Sequence, residues 1–195
     1  MAKQDRSDRV RWLLEELGVP YQDHFLNKNS GEMNSLEFRK LNPMGRVPVI
    51  VDDEKTIFES GAICLYLADK YTTKKLAPAL TSSDRATYLQ WMVFSVASLE
   101  CVVAQMFALQ GKTDLEVLAV KKHVQSQCEI LKLGLNAALE KHTYILPSGF
   151  SAADIMLASV IPGAAEYLMT DGSAIAKYMA HMMKRPAAIK AQVFE

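Results

Sequence analysis

Residues 7–21, SDRVRWLLEELGVPY, place the first element of the fold. Apolar side chains recur there at the i, i+3, i+4 and i+7 spacing of an amphipathic helix, namely at Val10, Leu13, Leu14 and Leu17. Gly18 follows as a stop signal, so we predict a helix from about Ser7 to Leu17. Three residues suit its N-cap, and the sequence leaves the choice open between them: Asp5, Ser7 and Asp8.

The next stretch of the chain predicts a small sheet and two more helices. Residues 47–51 and 56–58 are apolar and rich in β-branched side chains on either side of a polar turn, which is typical of a hairpin. The apolar periodicity of residues 60–71 predicts a helix. Before the hairpin we predict an edge strand at 21–26 and a brief helix at 36–41.

The second half of the chain predicts a helical domain. Residues 72–83 have no periodic pattern, which is typical of a linker, so we place two domains at 1–74 and 82–195. Helices are predicted at about 84–110, 114–141 and 173–184. A further helix begins at Ser151, where SAAD has the form of a capping box, and Pro162 should end or kink it.

Charge and cysteine content argue against several classes of protein. Lysine and arginine total 22 against 22 acidic residues, so no net field attracts nucleic acid or an anionic membrane. Cys64, Cys101 and Cys128 lack the spacing of a disulfide framework or a metal site, which favours a reducing compartment. We see no signal peptide and no run near the roughly 18 apolar residues of a membrane span. We therefore expect a soluble, cytoplasmic protein without a metal.

Three segments in order resemble the glutathione S-transferase superfamily: SDRVRWLLEELGVPY (7–21), NPMGRVPVI (42–50) and FESGAICLYLADKY (58–71). FSAADIMLA (150–158) and the RPA that begins at Arg185 extend the likeness over essentially the whole chain. The resemblance implies a thioredoxin-like N-terminal domain followed by an all-helical C-terminal domain. It also implies that the first domain binds glutathione and that the protein is a homodimer.

The same resemblance implies a first strand for which the chain has little room. Members of the superfamily usually begin with a short apolar strand, whereas here only Met1, Ala2 and Lys3 precede the loop before the first helix. We therefore expect this strand to be missing or stunted. Its loss would leave backbone groups of neighbouring strands without their partners.

Glu59 and Ser60 match the position where the superfamily holds the γ-glutamyl end of glutathione, at the start of a helix. Free N–H groups and the positive end of the helix dipole favour a carboxylate there. The serine hydroxyl adds a donor, and the glutamate can accept the ammonium of the ligand. The alternative is that Ser60 only caps the helix and Glu59 lies in solvent.

The resemblance places the cysteinyl part of glutathione beside Val47 and Pro48. It implies a cis peptide bond between them, with the backbone of Val47 pairing with the ligand like an added strand. Arg46 matches a position where members carry a polar or basic residue that can reach the ligand. The alternative for Arg46 is an exposed side chain without a partner.

The resemblance places the catalytic residue in the loop before the first helix. Members carry there a Tyr, Ser or Cys that hydrogen-bonds or replaces the glutathione thiolate and lowers a thiol pKa of about 8.5. Residues 3–7 read KQDRS, so Ser7 is the only hydroxyl and the catalytic candidate, unless it serves only as an N-cap. Arg6 is a second candidate, because its charge would stabilise a thiolate if the side chain turned inward.

These inferences lead to a glutathione S-transferase that conjugates the glutathione thiolate to hydrophobic electrophiles. Four residues of the helix after the linker are candidates for the electrophile site: Tyr88, Met92, Leu99 and Met106. The alternative is a non-catalytic glutathione-binding or regulatory protein on the same fold. A glutathione-dependent reductase or isomerase is a third reading, although the loop cysteine of the reductase type is absent.

Overall fold

A computed structural model describes residues 5–27 and 29–195, which divide into two compact units. Unit 1 consists of Met1–Ala77 together with Arg185–Glu195, and unit 2 consists of Pro78–Lys184. Unit 1 contains a small sheet with helices, whereas the regular structure of unit 2 is helical in the residues that the structure describes. The fold class is the predicted one, a thioredoxin-like half followed by an all-helical half.

In chain order, unit 1 begins with α1 (Ser7–Leu17), α2 (Leu36–Leu41), β1 (Val49–Asp52), β2 (Lys55–Phe58) and α3 (Ser60–Lys70). Unit 2 contains α4 (Arg85–Phe94), α5 (Glu100–Leu109), α6 (Leu115–Leu139), α7 (Ala152–Ala158), α8 (Ala165–Leu168) and α9 (Ala174–Met182). The last helix, α10 (Pro186–Lys190), returns to unit 1. The predicted bounds of α1 and α2 are confirmed, and α6 and α9 lie within their predicted segments.

Helix α1 has the predicted amphipathic character. Trp12 and Leu13 are fully enclosed and Leu17 is buried, so one face of the helix belongs to the core of unit 1. Gly18 ends the helix in the left-handed conformation, with φ 64°, and its N–H donates to the carbonyls of Leu14 and Glu15. Glycine adopts this conformation without a steric penalty, which explains why the helix stops there.

The sheet is the predicted hairpin. Strands β1 and β2 pair antiparallel, with Val49 opposite Phe58 and Asp52 opposite Lys55. The predicted edge strand at 21–26 is wrong, because those residues form no regular structure. An extended segment becomes a strand only when its backbone pairs with a neighbour, and β1 and β2 pair only with each other in the part of the chain that is described. The expected loss of a first strand concerns residues 1–3, which lie outside the described residues.

The C-terminal segment packs on α1, whereas the sequence placed it with the helical domain. Arg185 makes a bidentate ion pair with Glu16, at 2.6 Å from Nε and 2.9 Å from Nη2. Trp12 donates its indole N–H to the same carboxylate at 3.0 Å, and its ring meets Phe194 edge-on at 5.5 Å between centroids. These contacts explain why Arg185–Glu195 belongs to unit 1.

Helices α4 and α5 form one helical run, joined by a π-helical segment at Ser95–Leu99. Ser95 lies at the start of this segment and donates its hydroxyl to the carbonyl of Trp91 at 2.8 Å. Such back-bonding by serine loosens the regular ladder, which fits a local widening of the helix. Of the four candidates for the electrophile site, Tyr88, Met92 and Leu99 are buried and Met106 is half-buried, and their role stays a prediction.

The same run contradicts the expectation that no segment approaches a membrane span in length and apolar character. By length and composition, Arg85–Leu109 is apolar enough to cross a membrane, with a mean hydropathy of 1.8 over its best 18-residue window. Only 22% of that window is buried in the described structure, so much of this apolar surface faces outward. Core helices of soluble proteins can be equally long and apolar. A single such helix is therefore weak evidence for a span.

The predicted capping box at the start of α7 is confirmed. Ser151 accepts from the N–H of Ala153 at 3.3 Å, and Asp154 accepts from the N–H of Ser151 at 2.9 Å. All seven residues of α7 are buried, so this helix forms the centre of unit 2. The predicted interruption at Pro162 is also confirmed, because a 3-10 turn at Ile161–Ala164 separates α7 from α8.

Candidate functional site

The loop at 42–46 is built around a buried asparagine. Asn42 donates its amide N–H to the carbonyl of Arg46 at 2.6 Å and accepts from the N–H of Met44 at 3.0 Å. Its own carbonyl accepts from the N–H of Gly45 at 2.9 Å. These bonds close the loop, so the backbone that leads to Val47 has a defined course.

Val47 and Pro48 join this loop to β1 through a cis peptide bond, which confirms the prediction. Pro48 is buried and Val47 is half-buried, so the prolyl ring anchors the turn while the valine stays near the surface. Arg46 is exposed, so its side chain is accessible from solvent. The backbone of Val47 and the side chain of Arg46 are therefore at the edge of unit 1.

Glu59 and Ser60 make the connection between β2 and α3. Glu59 is exposed and has φ 71° and ψ 111°, a region that non-glycine residues rarely occupy. Its carbonyl accepts the N–H of Ile63 at 2.9 Å, but its carboxylate does not cap the helix. Ser60 is the first residue of α3 and is buried. The helix start thus places the first N–H groups of α3 beside an exposed carboxylate.

Arg9, a buried residue of α1, connects the starts of α1 and α3. Its Nη1 donates to Ser60 Oγ at 3.4 Å, across 51 residues of sequence. Cys64 lies one turn after Ser60 and is fully buried. Burial raises the pKa of the Cys64 thiol to about 12, although the positive charge of Arg9 opposes the shift. Cys64 is therefore a packing residue and not a nucleophile at neutral pH.

Ser7 is half-buried and is the first residue of α1. Its N–H donates to Asp5 Oδ1 at 2.8 Å, and the N–H of Asp5 donates to Asp8 Oδ2 at 3.1 Å. These bonds tie the chain together at the start of α1, but the N-cap position itself is Arg6, which makes no side-chain cap, so none of the three candidates is the N-cap residue. Asp8 is buried, which raises the pKa of its carboxyl, while its ion pair with Arg11 lowers it.

Sequence reasoning missed two residues of this site. Asn42 belongs to the quoted motif NPMGRVPVI, and an Asn-Pro step is a known turn signal. Arg9 carries no such signal, because exposure is the default for arginine and its contact with Ser60 is not local. Helix α3 packs against α1, β1 and β2, which is how these separate segments come together.

Other parts of the molecule offer little chemistry. Within residues 5–27 and 29–195, no group of three or more His, Cys, Asp or Glu side chains could hold a metal ion. A cleft of about 760 Å³ lies in unit 2 between the end of α6 and α9. Its lining includes Lys141, His142, Lys177 and His181 but none of the predicted site residues. We therefore keep the candidate site in unit 1.

Comparison with known proteins supports this placement. Residues 1–69 match the family model of the glutathione S-transferase N-terminal domain. Glutathione S-transferase 3 of Schizosaccharomyces pombe is 38% identical over 97 residues, which are 50% of this chain and 40% of that protein. The transcriptional regulator URE2 of Saccharomyces cerevisiae is 38% identical over 103 residues, which are 50% of this chain and 29% of that protein. The aligned part is thus less than half the length of these two relatives.

Solved structures extend the likeness to both units. The glutathione transferase URE2P6 from Phanerochaete chrysosporium, in complex with oxidized glutathione, superimposes with a TM-score of 0.84 at 25% identity. The superposition covers 97% of this chain and 91% of that one. Residues 1–69 of the chain are therefore a glutathione S-transferase N-terminal domain, and the chain as a whole has the glutathione S-transferase fold.

Proposed function

We propose that the protein binds glutathione in unit 1 and transfers the glutathione thiolate to hydrophobic electrophiles. The observation that carries this proposal is the position of Ser60, at the first turn of α3 and directly after the exposed Glu59. A helix start with free N–H groups is a ready site for a carboxylate. The family of this domain and the glutathione-bound relative support glutathione as that ligand.

The γ-glutamyl and cysteinyl parts of the ligand have partners in this arrangement. The α-carboxylate of the γ-glutamyl residue meets the hydroxyl and N–H of Ser60, and the ammonium group meets the carboxylate of Glu59. The cysteinyl backbone pairs with Val47 in the manner of an added strand. Pro48 shapes the turn that presents this backbone, and Arg46 reaches toward the ligand from the exposed side.

Ser7 is the proposed catalytic residue. Its hydroxyl donates a hydrogen bond to the glutathione sulfur, which favours the thiolate over the thiol and lowers the thiol pKa. Transfer then requires only that the electrophilic carbon lies next to that sulfur. The thiolate attacks this carbon, and the leaving group departs with the bonding electrons. Because the bond from Ser7 to Asp5 uses the backbone N–H of Ser7, the hydroxyl can take this role.

Glutathione titration of a Ser60→Ala variant tests the ligand site. We expect binding weaker by about 1–3 kcal/mol, the scale of a hydrogen bond to a charged group, measured by isothermal titration calorimetry on folded protein. Ser173→Ala is the matched control, because it also removes a serine hydroxyl at a helix start, where Ser173 caps α9 of unit 2 through the N–H of Ala176. Unchanged affinity in Ser60→Ala would show that the ligand lies elsewhere.

Ser7→Ala separates binding from catalysis. We expect this variant to bind glutathione nearly as tightly as the parent and to turn over chlorodinitrobenzene more slowly, because the hydroxyl acts on the sulfur and not on the γ-glutamyl end. Parental turnover in Ser7→Ala would remove Ser7 from the mechanism.

A second candidate function is a regulatory protein that binds glutathione without turning it over. The 38% identity to the transcriptional regulator URE2 favours it, as does a loop at 3–7 without tyrosine or cysteine. Binding of glutathione with no turnover of chlorodinitrobenzene would support this candidate over the transferase.

We also propose that the protein is a cytoplasmic homodimer. The balanced charge and the scattered free cysteines support the reducing compartment. Support for the dimer comes from the outward apolar side chains of α4 and α5, with Val93 at 56% exposure and Phe107 at 60%. Apolar side chains that cluster at a surface often mark an interface.

A further inference from the structure

Arg9 lies against the helix start where we place the ligand carboxylate. The side chain is only 4% exposed, which is rare for a guanidinium group. It projects from the first turn of α1, which packs on α3, and its Nη1 donates to Ser60 Oγ at 3.4 Å. A permanent positive charge therefore sits in the wall of the candidate site.

The contact determines how the Ser60 hydroxyl is used. Arginine has five N–H donors and no acceptor, whereas a hydroxyl has one proton and two lone pairs. Because Arg9 occupies a lone pair of Ser60 Oγ, the Ser60 proton is directed away from Arg9. It is then available to an acceptor at the helix start. A carboxylate is such an acceptor, and the neighbouring N–H groups of α3 point the same way.

Burial also strengthens the electrostatic interaction between Arg9 and the groups around it. Water screens a charge far less inside a protein than at its surface, so a buried guanidinium acts on its neighbours with more force. Cys64 is one such neighbour, and there the charge of Arg9 opposes the larger rise of the thiol pKa caused by burial. At the start of α3 the same charge adds to the positive end of the helix dipole. The charge of Arg9 and the helix dipole both favour a negatively charged group over a neutral one at this position.

We propose that Arg9 is a positioning residue that orients the Ser60 hydroxyl and makes the site select an ionised carboxylate over a neutral amide. This inference rests on the proposed glutathione site and deepens it, since it assigns the basis of specificity at the γ-glutamyl end. The preferred ligands are peptides with a free α-carboxylate on the γ-glutamyl residue.

The test compares two ligands by calorimetric titration: glutathione, and the analogue whose γ-glutamyl α-carboxylate is a carboxamide. We expect the parent to prefer glutathione by about tenfold or more, the scale of one charge-assisted hydrogen bond. Arg9→Met should bind glutathione about tenfold more weakly, and its preference for the carboxylate should largely disappear. Arg9→Lys restores the charge and should recover part of that preference.

Arg11→Met is the matched control. Arg11 also belongs to α1, but its guanidinium pairs with Asp8 and stacks over Phe25 at 5.5 Å, away from Ser60. This variant should keep the parental preference for the carboxylate. In a Ser60→Ala background, Arg9→Met should cost less affinity than in the parent, because Arg9 acts partly through Ser60.

The outcomes separate this inference from the proposed function. If the parent does not bind glutathione, the proposed ligand site fails and the inference fails with it. If the parent binds glutathione and Arg9→Met keeps both affinity and preference, the site stands and the role of Arg9 is wrong. Should circular dichroism show Arg9→Met unfolded, Arg9→Gln replaces it, because glutamine keeps a donor and removes the charge. A parental preference in Arg9→Gln overturns the inference.

Discussion

Gly45 and Glu59, two residues at the candidate site, both have positive φ. They differ in how the chain accommodates that conformation. Gly45 has φ 62°, and a β-carbon there would lie 2.7 Å from the carbonyl oxygen of Met33. Only glycine fits both conditions. Glu59 has φ 71° and does carry a side chain, so its conformation costs energy. Such strained residues are common where a ligand needs a fixed backbone, which agrees with the role proposed for Glu59.

Gly45→Ala should therefore destabilise the protein through both backbone and contact. We expect the free energy of unfolding to fall by about 2–4 kcal/mol, measured by urea denaturation. Gly31→Ala is the matched control, because Gly31 has φ 79° but no atom within 4 Å of an added β-carbon. It should lose only the backbone part, about 1–2 kcal/mol. Equal losses in the two variants would show that the approach of Met33 is not a constraint.

At the scale of elements, α7 shows how a buried helix start is satisfied. Asp154 is fully buried and accepts from the N–H groups of Ile145 at 2.8 Å and Ser151 at 2.9 Å, with Tyr178 as a third donor at 3.2 Å. These bonds favour the carboxylate, but burial outweighs them and raises the pKa of Asp154 to about 6. The capping group of α7 should therefore titrate in mildly acidic solution.

The raised pKa predicts the sign of a pH effect. The native state holds this proton up to about pH 6, whereas the ordinary pKa of the group is 3.8. Between these values the native state binds more protons than the unfolded chain, so the contribution of Asp154 to stability falls as pH rises. Relative to Asp154→Asn, we expect the parent to lose about 2–3 kcal/mol between about pH 4 and pH 7.

Urea denaturation across this range measures the effect. Asp171→Asn is the control for removal of a carboxylate as such, because Asp171 is an exposed aspartate of unit 2. The same pH dependence in the parent and in Asp154→Asn would mean that Asp154 keeps its charge in the native state.

At the scale of the whole molecule, α4 and α5 carry an outward apolar surface that a partner can cover. Only 22% of the most apolar 18-residue stretch of Arg85–Leu109 is buried in the described structure. The outward side chains of this stretch therefore face solvent in a single chain. A second copy is the occupant that the superfamily resemblance implies. An interface of standard size would bury roughly 1,200–2,000 Å² in total.

Light scattering at micromolar concentration should give twice the mass of the chain, as expected for a homodimer. Val93→Lys places a charge on the exposed face of α4 and should shift the protein toward the monomer. Leu133→Lys is the control, because Leu133 is 71% exposed on α6 and lies outside the proposed surface. A monomeric parent would contradict the proposed dimer.

Local interactions explain what could be predicted from the sequence. The period of apolar residues in α1, the stop at Gly18 and the capping box of Ser151 and Asp154 depend on neighbours within one or two helical turns. The resemblance added the cis bond before Pro48, which composition alone would not suggest. The fold class and these elements were accordingly correct.

Contacts between distant residues decided the rest. Residues 21–26 have extended character, but a strand needs a paired neighbour and none is described beside them. Arg185 joins unit 1 because Glu16, 169 residues earlier, accepts its guanidinium. The link from Arg9 to Ser60 spans 51 residues. The sequence by itself determined most of the helices, the hairpin and the resemblance to the superfamily, because those signals are local or lie in ordered motifs. Only the tertiary structure decided which polar side chains from distant segments meet, because such contacts arise when separate segments pack together.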